Sequence, residues 1–323
     1  MRSLALRIAG VVLALAVAPF AAAAAPARYF GPCDASAAIP IGASRFVVAN
    51  DETNTLYVYE RDDPHAVDSF PVTKFLGTKE HDEADIEGAA AIGARVYWIT
   101  SHGRDAKGKA RPGRKRFFAT DIGDDPKNPL TVVGKPYANL QRDMIDAPQF
   151  ARYRLADAAK LAAEAAGGFN IEGLAATPTG GLLIGLRNPL VDGRAIVIPL
   201  DNPADVVTSG ARAQFGAAYE FDFGGRGIRS LERVGGSYLI VAGPIAEQGT
   251  FALYRWSGVR GEAPKALEVD LGTLRPEALI AIPHSAEIQL LSDDGGVETD
   301  GVTCKDLEFA KQSFRSVILT PPP

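Results

Sequence analysis

Short runs of mostly apolar, β-branched and aromatic residues recur along the chain, each bounded by glycine or polar turn residues. The runs at 45–49, 95–100, 181–186, 237–242 and 287–291 are too short for helices and lack helical spacing, so they predict buried strands. Each follows a common motif: Asp34-Ala-Ser-Ala-Ala, Asp85-Ile-Glu-Gly-Ala, Asn170-Ile-Glu-Gly-Leu, the looser Gly227-Ile-Arg-Ser-Leu, and Arg275-Pro-Glu-Ala-Leu. A third strand is expected at 55–59, 116–119, 194–200 and 250–256, and a more polar fourth at 66–74, 130–137, 214–221 and 265–271. Four antiparallel strands repeated about every fifty residues predict an all-β chain, a single β-propeller of about five four-stranded blades. The longer interval between Asp85 and Asn170 leaves room for a degenerate sixth blade. It also holds an alanine- and leucine-rich stretch, 155–166, which predicts a short helix stopped by Gly167-Gly168 and decorating the surface between blades two and three.

The repeat also places side chains. Counting fifteen residues from the third motif position reaches the end of the second strand in every unit, pairing Ser36 with Asp51, Glu87 with His102, Glu172 with Arg187, Arg229 with Pro244 and Glu277 with Ser292. The start of a first strand and the end of its antiparallel neighbour share one face of the ring. One channel mouth is therefore expected to collect Asp34, Asp85, Glu87, Glu172, Glu277, Asp51, His102, Arg104, Arg187, Arg229 and Asp293.

The chain begins as if for export. Arg2 and Arg7 precede an apolar run from Ile8 to Phe20, and the alanines at 21–25 offer small-residue cleavage sites, so residues 1–25 read as a signal peptide and 26–323 as the propeller domain. No later apolar run is long enough to span a bilayer, so no membrane insertion is expected after cleavage. Cleavage takes the net charge from -5 to -7, which gives no reason to expect nucleic acid as a partner. The expected protein is an exported monomer. In an oxidising compartment the only two cysteines, Cys33 and Cys304, are expected to form a disulfide that brings the chain ends together. Residues 27–30 would then pair with the last blade near 314–319 and close the ring, sparing it an open edge.

Candidate chemistry gathers at the mouth. His102, Glu87 and Glu172 are the candidate acid, base or ligating residues, because a histidine near carboxylates can shuttle protons or hold a metal. Arg104, Arg187, Asn188, Arg229, Glu277 and Asp51 are the candidate ligand contacts, and the basic loop 104–116 beside Arg187 and Arg229 suggests an anionic small molecule, a peptide or a glycan. Asp293, Asp294 and Glu298 lie among glycines and are candidate Ca²⁺ ligands, although the spacing is not that of an EF-hand; no cofactor is otherwise expected. Gly103-x-x-x-x-Gly108-Lys109 lacks the hydroxyl and the helix of a phosphate loop, and no G-x-S-x-G elbow occurs. The competing readings are a binding propeller and a metal-assisted hydrolase of phosphoesters, esters or lactones that uses the same mouth residues.

At Asp85-Ile-Glu-Gly-Ala, Tyr97-Trp-Ile-Thr-Ser-His-Gly-Arg104, Phe169-Asn-Ile-Glu-Gly-Leu-Ala and Leu183-Ile-Gly-Leu-Arg-Asn-Pro189 the chain resembles a bacterial family known as domain-of-unknown-function family 3616. The resemblance covers most of the chain after the leader. It implies a propeller-like protein and carries no catalytic role to any residue.

Overall fold

The computed structural model describes residues 26–79, 81–123, 125, 129–246 and 248–322; the leader expected at 1–25 lies outside the described residues. Five four-stranded antiparallel sheets form a five-bladed propeller. Blade 1 runs through Ala37–Ile41, Arg45–Ala49, Thr55–Glu60 and Ala66–Pro71, and blade 2 through Ile86–Ile92, Arg95–Thr100, Phe117–Ile122 and Leu130–Tyr137. Blade 3 comprises Asn170–Ala176, Leu182–Asn188, Ala195–Leu200 and Tyr219–Phe221; blade 4 comprises Gly227–Val234, Ser237–Gly243, Ala252–Trp256 and Lys265–Leu267. Blade 5 takes three strands from the chain end, Pro276–Ala281, Ile288–Ser292 and Ser313–Leu319, and its outermost strand, Ala27–Phe30, from the chain start.

The second strands are apolar on both faces because each sheet is buried on both sides. In Arg45–Ala49, Val47 and Ala49 pack towards blade 2 with Trp98 and Phe118, while Phe46 and Val48 pack towards blade 5 with Ala278 and Phe314. Every blade boundary holds one such apolar cluster, and the five clusters close the circle. At the seam, Ala27 faces Ser316 and Phe30 faces Ser313 across an antiparallel ladder. Tyr29 there stacks on Phe314 with centroids 5.4 Å apart and meets Phe46 edge-on at 5.1 Å. The Cys33–Cys304 disulfide fastens the same seam.

The segment between blades 2 and 3 differs from expectation. It holds no sixth blade, and its helical part is split into Leu140–Asp146, a 3₁₀ stretch Pro148–Tyr153 and a single turn Leu155–Ala158. The expected helix stops early because the blades take its carbonyls: Arg104 Nε donates to Ala159 O at 2.9 Å, and Asn188 Nδ2 donates to the carbonyls of Ala163 and Ala165 at 2.9 and 2.6 Å. Nor is the segment a surface decoration, since Leu140, Met144, Phe150 and Leu155 are buried in the cluster between blades 2 and 3.

Candidate functional site

The third motif residue reaches the channel because it is the extra residue of a β-bulge. In blade 2 the ladder passes from Ile86↔Thr100 to Gly88↔Ile99 and skips Glu87. Blades 3, 4 and 5 skip Glu172, Arg229 and Glu277 in the same way. A bulge frees one residue from the pairing and re-aims its side chain, so four charged groups point to one axis from four different strands. Blade 1 pairs without a shift from Ala37 to Ile41 and presents Asp34 and Asp51 instead. The motif glycines allow the first strands to approach: a Cβ on Gly88 would lie 3.1 Å from Leu174 Cβ, and one on Gly173 would lie 2.7 Å from Ile228 Cγ2. Below the charged groups the channel narrows among Ala38, Ala89, Leu174, Leu231 and Leu279 to a void of about 10 Å³. That is room for about one water, so the mouth is a pit with a floor.

The pit encloses about 370 Å³. Among the described residues, nine carboxyls and six cationic side chains line it, and they fall into two walls. Across blades 3 to 5 the charges are paired. Glu172 receives Arg187 Nη1 at 2.9 Å and Arg229 Nε at 2.8 Å. Arg229 also pairs with Glu277, and Arg187 pairs with Glu164 of the inserted segment at 3.0 Å. The remaining arginine donors meet the carbonyls of Pro244 and Ala246. The two side chains of Glu172 and Arg187 are 2% and 6% exposed, so both charges are desolvated and each depends on the other. A smaller pair of the same kind joins Asp85, at φ 63°, to Arg114 at 3.1 Å, with Ser101 Oγ donating to the same carboxylate.

Across blades 1, 2 and 5 the carboxyls of Asp34, Asp51, Glu52, Glu87 and Asp293 have no cationic side chain within ion-pair distance among the described residues. Burial, followed by the nearby Asp51 and Asp293, pushes Asp34 up to about 11. Burial is also the main cause for Asp51, with Asp293 and Asp85 adding to it, and for Glu87, with Glu172 and Asp85 adding to it; both are raised well above the carboxylate range. Asp293 goes the other way. Burial opposes its charge, but the Asp34 carboxyl, the Gly295 N–H and Arg229 outweigh that cost, so Asp34 keeps the proton of this pair. Lys305 and Arg275 line the same side, also outside ion-pair distance.

Of the residues expected at the mouth, Asp34, Asp51, Asp85, Glu87, Arg104, Glu172, Arg187, Arg229, Glu277 and Asp293 do line the pit. His102 does not. Its φ of 57° turns the chain away, its ring Nδ1 lies 2.8 Å from Thr100 O, and burial lowers it to about 4, so it stays a neutral interior group. Asn188 is buried against the inserted segment. Asp293, Asp294 and Glu298 do not come together: Asp293 faces the pit, Asp294 is locked to Arg315 at 2.7 Å, and Glu298 is exposed in a small hairpin. No group of three or more His, Cys, Asp or Glu among the described residues is arranged to hold a metal ion. The basic loop is largely spent internally, with Arg111 on Asp105, Arg116 on the carbonyls of Leu76 and Pro112, and Arg114 on Asp85 and Glu83. Glu164, Glu52, Arg275, Lys305 and Phe251 also line the pit without having been anticipated. Lys305 follows a disulfide cysteine and could have been placed by it; Glu164 sits in the insertion, where no repeat marks it.

A family model described as "Protein of unknown function (DUF3616)" matches residues 34–118 and 139–291. No curated protein matches the chain by sequence. Among solved structures, the glutaminyl cyclase of Myxococcus xanthus is 12% identical, with a TM-score of 0.45 over 92% of this chain and 96% of that one. A GH43_1 enzyme from Xanthomonas citri, complexed with xylose, is 10% identical, with a TM-score of 0.47 over 88% and 86%. A protein titled RS223-Beta-xylosidase is 8% identical, with a TM-score of 0.46 over 92% and 94%. At this distance the likeness concerns the fold alone, and no residue role is taken from it.

Proposed function

We propose, for a chain that belongs to the DUF3616 family of proteins of unknown function, that the pit at the mouth of the propeller binds a small polar molecule. The observation that carries this reading is a floored cavity of about 370 Å³ into which polar side chains from all five blades and the insertion converge. That volume is within the range of small-molecule sites, and a rigid ring holds groups that no single blade could place. The ligand is met outside the cytoplasm, in keeping with the leader read from residues 1–25. The test is a thermal-shift screen of small polar metabolites against the wild type and Ala106→Trp, which plugs the pit from an exposed lining position. A ligand that stabilises the wild type and not the plugged variant is expected; a screen in which every hit acts on both equally would defeat the reading.

A second reading, hydrolysis of a polar substrate in the same pit, draws on Glu87. This unpaired carboxyl is raised well above its ordinary range, chiefly by burial, and lies beside Glu172, which is ion-paired to two arginines. A neutral acid next to a carboxylate suits proton donation to a leaving group. On this reading Glu87→Gln stops turnover of a substrate that still binds; unchanged turnover would sink it.

A further inference from the structure

We infer that the ligand of this pit carries an ammonium or guanidinium group, and that the unpaired wall of Asp34, Asp51, Glu87 and Asp293 receives it. The inference rests on the binding reading above and adds the ligand's charge. Its first support is what the arginines are doing. Arg187, Arg229 and Arg114 made an anionic ligand attractive in the sequence, yet all three are ion-paired with carboxylates of the protein itself, although Arg229 Nε and Arg114 Nε lack a well-aligned hydrogen bond. An anion would have to break a buried ion pair to reach them, leaving an uncompensated carboxylate behind.

The second support is what the opposite wall lacks. Glu87 is only 8% exposed, its side chain is aimed into the pit by the bulge, and it makes no hydrogen bond or ion pair among the described residues. Asp51 Oδ1 and Asp34 Oδ2 are buried without a hydrogen-bond partner as well. Polar groups buried in this way cost stability unless something completes them. Lys305 and Arg275 stand on the same side but beyond ion-pair distance, so the wall keeps a surplus of carboxyls. The carboxyls also fail to converge as a metal-ligating group among the described residues. They are spread over a cavity large enough for an organic molecule, and an organic cation with several N–H donors can satisfy spaced carboxyls together.

Burial holds Asp34, Asp51 and Glu87 towards their neutral forms. A cation favours the ionised forms, so its binding releases protons.

The experiment is calorimetric titration of glucosamine, glucose and glucuronate, one ring bearing an ammonium, a neutral group or a carboxylate, followed by a panel of alkylamines and guanidines. It is run on the wild type, Glu87→Gln, Asp51→Asn and Ala106→Trp. The expected result is binding by cationic members, abolished by Ala106→Trp and weakened about tenfold or more by either charge removal, as loss of one charge-assisted contact predicts. Repeating the wild-type titration in buffers of different ionisation enthalpy should reveal proton release. Preferred binding of neutral or anionic members that Ala106→Trp blocks and Glu87→Gln leaves unchanged would overturn the inference while preserving the pit as a site. Binding that Ala106→Trp does not affect, or no binding by any member, would count against both.

Discussion

The two walls of the pit meet at equivalent bulges, Glu87 on one and Glu172, Arg229 and Glu277 on the other, yet they handle charge in opposite ways. Across blades 3 to 5, Glu172, Arg187, Arg229, Glu277 and Glu164 form a chain of ion pairs with little unspent charge. Across blades 1, 2 and 5, the buried Asp34 and Glu87 and the half-buried Asp51 have no cationic partner among the described residues and are held towards neutrality. Position on the strand therefore does not decide a group's role; its partner does. The paired wall locks adjacent blades together, and the unpaired wall tolerates a cost that a bound ligand would remove.

Breaking the paired wall should have the largest effect. Glu172→Ala removes the carboxylate that Arg187 and Arg229 share, leaving Arg187 with the half-exposed Glu164 and Arg229 with Glu277, and should cost about 3 kcal/mol of folding stability, read by urea denaturation with an unchanged slope. A loss below about 1 kcal/mol would mean that Glu164 and Glu277 alone compensate the two arginines. Next in size is the seam. Removing the disulfide with Cys33→Ser and Cys304→Ser should cost about 2–4 kcal/mol. Because Asp34 and Lys305 flank the two cysteines and both line the pit, ligand affinity should fall as well. Loss of stability with unaltered affinity would confine the bridge to ring closure.

A smaller effect separates the walls by pH. His102 is held at about 4, so the unfolded chain binds the extra proton only between there and its ordinary value of about 6.5, and above that this residue is silent. Asp34 is raised to about 11, so from the ordinary carboxylate range up to that point the folded state holds a proton that the unfolded state has lost. Stability should therefore decline from pH 7 to 9, by at most about 1.4 kcal/mol per pH unit for one proton. Asp34→Asn should make that decline shallower, with Asp51 and Glu87 responsible for what remains, and an equally steep slope in the variant would take Asp34 out of the account.

Much of this was legible in the chain. The recurring runs located the five blades while leaving room for a sixth, because a sheet buried on both faces must be apolar at consecutive positions; ring closure pointed to the seam, and the lone cysteine pair in an exported chain to the disulfide. The fifteen-residue register found Asp51 and Arg187 but misplaced His102, since the left-handed turn at that residue leaves no mark in a repeat count. It also found the charges without their pairing. Nothing in the sequence says that Glu164 crosses from the insertion to Arg187, or that Arg187 and Arg229 share Glu172, because those contacts arise only when three separate segments meet. An anionic ligand was the natural expectation from the arginines alone, and their neutralisation became visible only in three dimensions.

The most direct measurement is a side-by-side denaturation of Glu87→Gln and Glu172→Gln at neutral pH. Both replace a buried carboxyl at the same bulge position with an amide of the same shape. The two-wall account predicts opposite signs: Glu87→Gln gains stability because the folded chain no longer has to hold a proton there, while Glu172→Gln loses stability because Arg187 and Arg229 lose the counter-charge they share. Two changes of the same sign would contradict it.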